Sequence, residues 1–159
     1  MAARWRESFG SRFVGVAAFL LLAPVLVPVI VLALALHFLY VGVLYLLVWL
    51  CWLPKGKDIL YVSSDSPIWR DYMQTEILPL VSSRAIILNW SDRSKWSKHY
   101  LPARVFRRFG RDRNYNPMVI MFRPLRRARV FRFWSAFRNW KHGHPDDLER
   151  LRDDLMHAL

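Results

Sequence analysis

The chain has 159 residues, of which 54% are hydrophobic, and it carries a formal net charge of +12 at pH 7. It contains one cysteine, Cys51, which excludes an intrachain disulfide and a cysteine cluster for zinc. The histidines show no ligand spacing with nearby carboxylates, so we predict neither a metal nor a cofactor. The positive charge favours an anionic partner, either a lipid headgroup or a nucleic acid.

The first predicted element is an apolar segment, residues 13–53, that contains no Lys, Arg, Asp or Glu. As a helix this segment would extend about 60 Å, roughly twice the hydrocarbon thickness of a bilayer. A secretory signal has an apolar core of only about 7 to 15 residues before a small-residue cleavage site, which does not fit this segment. We therefore predict that residues 1–54 form a membrane anchor that stays in the protein.

Basic residues flank the apolar segment on both sides. Arg4, Arg6 and Arg12 precede it, and Lys55 and Lys57 follow it. Under the positive-inside rule both flanks favour the cytoplasm, which requires an even number of crossings. We therefore predict a transmembrane helical hairpin, with helices over residues 13–32 and 36–53, and a C-terminal domain in the cytoplasm at a bacterial inner membrane. The alternatives are a re-entrant wedge bent at Pro24 and Pro28, and a single span over residues 29–53.

The remaining residues, 55–159, are predicted to form one basic domain. From residue 54 onward the chain holds 21 Lys and Arg against 11 Asp and Glu, and between residues 95 and 141 the sole acid is Asp112. Close to a membrane each Lys or Arg contributes about 1 kcal/mol of attraction to anionic lipid. We predict anionic headgroups as the partner, ahead of nucleic acid or a solvated basic face. The candidate contacts are Arg107, Arg108, Arg126, Arg127 and Arg129.

Hydrophobic patterning divides this domain into four strands and three helices. The strands are predicted over residues 58–63, 85–90, 118–122 and 130–134. The first helix is predicted over residues 67–81, with Ser66 as its N-cap and Pro67 at its first position. A basic amphipathic helix, kinked or divided into two pieces at Pro102, is predicted over residues 94–109. The last helix is predicted to be capped near His144 and to begin at Pro145.

The order strand, helix, strand, helix, strand, strand, helix resembles that of the thioredoxin and glutaredoxin family. The first helix opens at Ser66-Pro67-Ile68-Trp69, where the family places its Cys-x-x-Cys motif. Asn116-Pro117 precedes the third strand, where the family has a cis-proline. The resemblance implies a thioredoxin-like α/β domain with a mixed four-stranded sheet. Because Ser66 and Trp69 stand where the family has cysteines, dithiol exchange is excluded.

A ligand site is predicted at the carboxyl end of the first strand, because ligands of open α/β sheets bind beyond strand ends. A helix N-terminus facing a proline loop could hold an anionic or peptide-like ligand. Residues 89–93 could line the same edge, and the alternative is that these polar residues only cap the helix and form turns. The candidate ligand-binding residues are Ser64, Asp65, Ser66, Trp69, Asn116 and Pro117.

Three functions remain open on this sequence. The chain shows no acid–base or nucleophile constellation, which favours a non-catalytic adaptor or binding module whose partner is a membrane lipid or another membrane protein. The family resemblance also implies a glutathione-dependent transferase-like enzyme in which Ser66 bonds a thiolate. The third function is nucleic-acid binding through the basic cluster from Arg104 to Arg138. Its possible stacking partners are Trp96, Phe106, Tyr115 and Phe131.

Overall fold

The computed structural model describes the backbone of residues 2–110, 116–143 and 146–159, and the side chains of these ranges from residue 22 onward except at residue 141. The chain divides into two units, Met1–Val43 and Leu44–Leu159. The described residues of the first unit are all helical. The second contains the end of that helix together with a sheet and its covering helices.

A single helix, α1 (Ala2–Cys51), replaces the predicted hairpin. The backbone is helical through residues 33–35, between the two predicted helices, and also through Pro24 and Pro28, where the re-entrant bend was the alternative. Residues 33–37 contain neither Gly nor Pro, so no residue there interrupts the helical hydrogen bonds. The hairpin prediction is therefore wrong.

The described part of the chain has one helix that is long and apolar enough to cross a membrane, over Leu22–Lys55 when the 3₁₀ turn Leu53–Lys55 is included. From residue 22 to residue 43 every side chain is exposed except those of Ala23 and Val41, which are half-buried. We call residues 22–43 the exposed apolar run. It would measure about 33 Å along a helix axis, close to the thickness of a bilayer core.

The sheet has four strands, as predicted, with parallel and antiparallel pairs. They are β1 (Ile59–Ser63), β2 (Ala85–Asn89), β3 (Met118–Met121) and β4 (Arg129–Arg132). The spatial order is β2-β1-β3-β4, in which β1 is parallel to β2 and antiparallel to β3, and β3 is antiparallel to β4. The Asn116-Pro117 peptide bond, which directly precedes β3, is cis. The small mixed α/β domain is thus confirmed.

Helix α2 runs through three consecutive segments: Arg70–Tyr72, a π-helical turn Met73–Ile77, and Leu78–Val81. It begins at Arg70 and not at the predicted Pro67, and its N-cap residue is Trp69 and not Ser66. Pro79 has no N–H to donate within the helix. In the preceding π-helical turn the N–H of Leu78 bonds to the carbonyl oxygen of Met73, which shifts the hydrogen-bond register before the proline.

The other helices differ from prediction in their limits. Helix α3 (Leu101–Phe109) has Pro102 in its first turn, where the missing N–H is harmless, so the predicted segment is divided before Pro102 and not kinked at it. Residues before it form a separate 3₁₀ helix, Trp90–Lys95. Helix α4 (Phe133–Lys141) was not predicted, and the strand predicted over residues 130–134 ends at Arg132. Helix α5 is Asp146–Met156, and its predicted cap, His144 and Pro145, lies outside the described residues.

Strand alternation produces two apolar cores, one on each face of the sheet. Ile59, Tyr61, Val119 and Met121 face α2, α4 and α5. Leu60, Val62, Met118 and Ile120 face α3 and the end of α1. Leu44 and Val48 of α1 and Trp52, which directly follows α1, have buried side chains. The last turns of the apolar helix therefore cover one face of the sheet.

Candidate functional site

A polar cluster joins the carboxyl ends of the parallel strands β1 and β2. The backbone N–H of Asp65 donates to the hydroxyl of Ser91 at 3.0 Å. The side-chain amide of Asn89 donates to the Asp65 carboxylate at 3.3 and 3.4 Å, and its oxygen accepts from the backbone N–H of Ser91 at 3.0 Å. Residues of the 89–93 segment therefore lie at the same edge as Asp65. The polar groups of Asp65, Asn89 and Ser91 are hydrogen-bonded to one another.

The serines of the predicted site are held by local hydrogen bonds. The Ser64 hydroxyl accepts from the indole N–H of Trp69 at 3.0 Å. The carbonyl oxygen of Ser66 accepts from the N–H of Arg70 at 3.0 Å, which closes a turn directly before α2. The Trp69 ring packs against Phe137 of α4, with 6.2 Å between centroids. These contacts fix the position of the Trp69 side chain beside the loop.

Asn116 and Pro117 are buried before β3. The carbonyl oxygen of Pro117 accepts from the N–H of Phe133 at 3.0 Å, which ties the cis-proline to the start of α4. The side-chain oxygen of Asn116 is buried and has no hydrogen-bond partner. Among the described residues no hydrogen bond joins these two residues to the serine segment 64–66. Helix α4 contacts Pro117 through Phe133 and contacts Trp69 through Phe137.

Beside this loop lies a cavity of about 380 Å³ that the sequence did not reveal. It is bounded by the start of α2 and by α4 and α5. Burial raises the pKa of the Tyr72 hydroxyl in its wall, an effect that the positive charge of Arg152 opposes. Its apolar side chains could receive a hydrophobic segment of a ligand. The lining residues are Pro67, Ile68, Asp71, Tyr72, Phe137, Trp140, Leu148, Glu149 and Arg152.

The five predicted lipid-contacting arginines occupy two neighbouring places in the domain. Arg107 and Arg108 end α3, while the other three lie in the β3–β4 turn, residues 122–128, or at its end. Tyr45 of α1 contacts both places, because its ring lies 5.0 Å from Phe109 and 5.7 Å from Phe122, between centroids. The structure therefore gathers the two basic segments around one tyrosine, a grouping that the sequence does not show.

Two of the four possible nucleic-acid stacking partners are unavailable. Phe106 is 1% exposed and Phe131 is 5% exposed, so both belong to the apolar cores. Trp96 is half-buried and packs against Trp90 and Phe106. Tyr115 lies outside the described residues. The basic cluster therefore lacks an exposed aromatic platform formed by these described rings.

Within the described ranges, no group of three or more His, Cys, Asp and Glu residues is arranged to hold a metal ion. The chain matches no protein-family model, no curated protein and no solved structure.

Proposed function

We propose that this chain is a membrane-anchored, redox-inactive thioredoxin-like binding module that acts as an adaptor at the cytoplasmic surface of a bacterial inner membrane. Helix α1 carries the proposal. Its exposed apolar run has the length of a bilayer core. Leu44 and Val48 in its last turns, and Trp52 directly after it, lie in the core of the sheet domain. Such a helix is suited to be both a membrane anchor and a structural part of the domain.

Three observations support a thioredoxin-like domain. The strand order β2-β1-β3-β4 has the parallel and antiparallel pairing that the resemblance implies. Helices α2 and α5 cover one face of the sheet, and α3 covers the other. The peptide bond before Pro117 is cis. The chain has Ser66 and Trp69 in place of the two cysteines, so a module of this kind would bind without exchanging dithiols.

The local contacts favour binding over catalysis. Asp65, Asn89 and Ser91 bond to one another, and the Ser64 hydroxyl holds the Trp69 indole. A general base needs hydrogen-bond reach to the proton that it removes. The carboxylate of Asp65 is instead engaged by the Asn89 amide. The polar residues at the end of β1 and β2 are thus suited to fix the loop before α2. The adjoining cavity is suited to accept an apolar part of a partner protein.

The anchor is tested by expressing the full chain with the double substitution Val31→Arg and Leu34→Arg. Each arginine near the centre of a spanning helix costs about 3 kcal/mol of insertion free energy. We expect the parent chain to stay in membranes after alkaline carbonate extraction and the double variant to lose most of its membrane-bound fraction. Ile87→Arg, at an exposed position on β2, is the control and should behave like the parent. A parent chain that is monodisperse without detergent would contradict the proposal.

Ser66→Ala separates the adaptor from the glutathione-dependent enzyme. The adaptor proposal predicts no glutathione binding by either chain, as measured by calorimetry on detergent-solubilised protein. Glutathione binding by the parent that Ser66→Ala abolishes, without a change in thermal unfolding, would favour the enzyme. Tight nucleic-acid binding that weakens steeply with salt would instead favour the third function.

A further inference from the structure

The β3–β4 turn presents one large apolar side chain to solvent. Leu125 is 92% exposed, and its backbone φ is 57°, in the left-handed region. The N–H of Arg126 bonds to the carbonyl oxygen of Arg123 at 3.2 Å, so Pro124 and Leu125 are the central residues of a β-turn. Glycine or asparagine is the usual residue at a positive φ in the third position of such a turn. The chain therefore has a bulky apolar side chain where a small residue would be less strained.

Positive charge surrounds Leu125. Arg126, Arg127 and Arg129 are all exposed, and residues 122–132 contain no Asp or Glu. Arg123 is engaged, because its guanidinium donates to the carbonyl oxygen of Ala158. The Arg129 guanidinium lies 5.3 Å from the centroid of the Phe131 ring, and this cation–π contact orients the arginine side chain. An apolar tip ringed by arginines has the composition of a segment that enters the headgroup layer of an anionic membrane.

Both ends of this turn are fixed to Tyr45. The backbone N–H of Ala128 donates to the Tyr45 hydroxyl at 2.7 Å, and the Phe122 ring packs against the Tyr45 ring. In the chain, Tyr45 follows the end of the exposed apolar run by two residues. Tyrosine is enriched at the level of the headgroups at both membrane surfaces. The turn is therefore tied to the part of α1 that comes directly after the proposed span.

We propose that the β3–β4 turn is a second membrane contact, in which Leu125 enters the bilayer interface while Arg126, Arg127 and Arg129 bind phosphate groups of anionic lipids. This inference rests on the proposed membrane anchor. Single exposed hydrophobic residues are common and carry no function by themselves. Leu125 differs because a positive φ, three exposed arginines and attachment to Tyr45 coincide at the same turn.

The test uses the full chain in lipid nanodiscs, with Cys51→Ala as the background and one new cysteine carrying an environment-sensitive fluorophore. The label is placed by Leu125→Cys, with Leu32→Cys in the exposed apolar run as the membrane reference and Ile87→Cys on β2 as the aqueous reference. Discs contain phosphatidylcholine alone or with phosphatidylglycerol, and nitroxide groups on the acyl chains quench labels that enter the bilayer. We expect a blue shift and quenching at position 125 in the anionic discs.

The arginines are tested by Arg126→Gln combined with Arg127→Gln in the Leu125→Cys chain. Each lost charge should weaken docking of the turn on anionic discs about fivefold, so the pair should weaken it about thirtyfold. Quenching at position 32 combined with aqueous behaviour at position 125 would overturn the second contact and leave the anchor standing. Aqueous behaviour at position 32 would overturn the anchor itself. Equal quenching at position 125 in neutral and anionic discs would overturn the role of the arginines.

Discussion

At the scale of single residues, Tyr61 shows how a buried hydroxyl holds the domain together. This β1 side chain is 1% exposed, and its hydroxyl donates to the carbonyl oxygen of Met73 at 2.9 Å. Met73 begins the π-helical turn of α2, where backbone groups change partners. Burial raises the pKa of the Tyr61 hydroxyl, and a hydrogen bond with Ser63 opposes that rise. The neutral phenol is therefore the form that the folded state favours.

This preference predicts a pH dependence of stability. Below the unfolded value of 10.0 both states keep the proton, so the contribution of Tyr61 to stability is fully present. Above it the unfolded chain loses the proton first, and the free energy of unfolding falls as pH rises through the higher folded pKa. Tyr61→Phe should cost about 1 kcal/mol at neutral pH and make that fall shallower. Denaturant titrations in detergent at several pH values measure both the loss of stability at neutral pH and the fall of stability with rising pH. Tyr100→Phe, at an exposed position, is the control.

A second residue-scale feature is the ion pair between Asp58 and Arg84. The Arg84 Nε atom donates to the Asp58 carboxylate at 2.9 Å, and Nη2 contacts the second oxygen. The Asp58 residue is 8% exposed, whereas the Arg84 side chain is 38% exposed. The hydrogen-bonded carboxylate also raises the pKa of Arg84. The pair joins the residues that directly precede β1 and β2.

Removing Arg84 should therefore leave the buried Asp58 carboxylate without its charged partner. We expect Arg84→Met to lower the free energy of unfolding by about 2 kcal/mol, since a charged hydrogen bond contributes about 1.5–3 kcal/mol. Asp58→Asn combined with Arg84→Met should cost less than the sum of the two single changes, because the double variant has no unpaired charge. Strict additivity in this cycle would contradict a coupled pair. Arg70→Met, at an exposed position on α2, controls for the loss of a surface charge.

At the scale of elements, the end of α1 is structurally part of the sheet domain. Leu44, Val48 and Trp52 recur every fourth residue and are buried, whereas Leu50 is 64% exposed. The Trp52 ring packs edge-on against Phe122, at 6.0 Å between centroids. Residues four apart lie on the same face of a helix, so these three side chains form one stripe against the sheet. Because nearly every residue of this segment is apolar, the sequence does not distinguish the buried face of the helix from its exposed face.

Trp52→Ala should accordingly destabilise the domain by about 3–5 kcal/mol, the usual cost of deleting a large aromatic side chain from a core. Leu50→Ala, two residues earlier on α1 and outside the core, should change the free energy of unfolding by less than about 0.5 kcal/mol. Thermal unfolding in detergent, followed by near-ultraviolet circular dichroism, measures the difference. Similar effects of the two substitutions would show that α1 does not contribute its buried stripe to the domain.

At the scale of the whole molecule, a single helix changes the expected arrangement of the chain ends. Two crossings would return the chain to the side from which it started, whereas one crossing separates the ends by the membrane. The C-terminal side carries the larger positive charge, with 21 Lys and Arg against 11 Asp and Glu from residue 54 onward. The positive-inside rule counts basic residues near both ends of the span, where Arg4, Arg6 and Arg12 precede it and Lys55 and Lys57 follow it. The two flanks therefore compete for the cytoplasmic side, and the proposed location of the sheet domain in the cytoplasm requires the C-terminal flank to prevail.

Paired reporters fused to the two ends test this arrangement in bacterial cells. We expect a cytoplasmic reporter to be active at the C-terminus and a periplasmic reporter to be active at the N-terminus. Lys55→Glu combined with Lys57→Glu should raise the fraction with the opposite orientation, since Lys and Arg flanking the span bias its direction. Cytoplasmic activity at both ends would restore the two-crossing arrangement, and a periplasmic C-terminus would contradict the proposed location of the domain.

The sequence by itself determined the features that depend on local pattern. Forty-one residues without a charged side chain indicated a membrane-competent segment, and short apolar runs located all four strands to within two residues of their limits. These predictions succeed because burial of a strand and solvation by lipid both require runs of neighbouring apolar residues. The same apolarity could not distinguish a hairpin from one helix, because the uncharged residues of the segment are compatible with lipid in both arrangements.

The tertiary structure alone decided which residues meet. Phe133 and Trp134 have the aromatic character of a strand, yet Phe133, Ala136 and Phe137 pack as one face of α4 because that face covers the sheet. The pairing of Asp65 with Asn89 and the attachment of the β3–β4 turn to Tyr45 join residues 24 and 83 positions apart. Such contacts depend on how strands are ordered in the sheet, and that order arises from packing between distant segments.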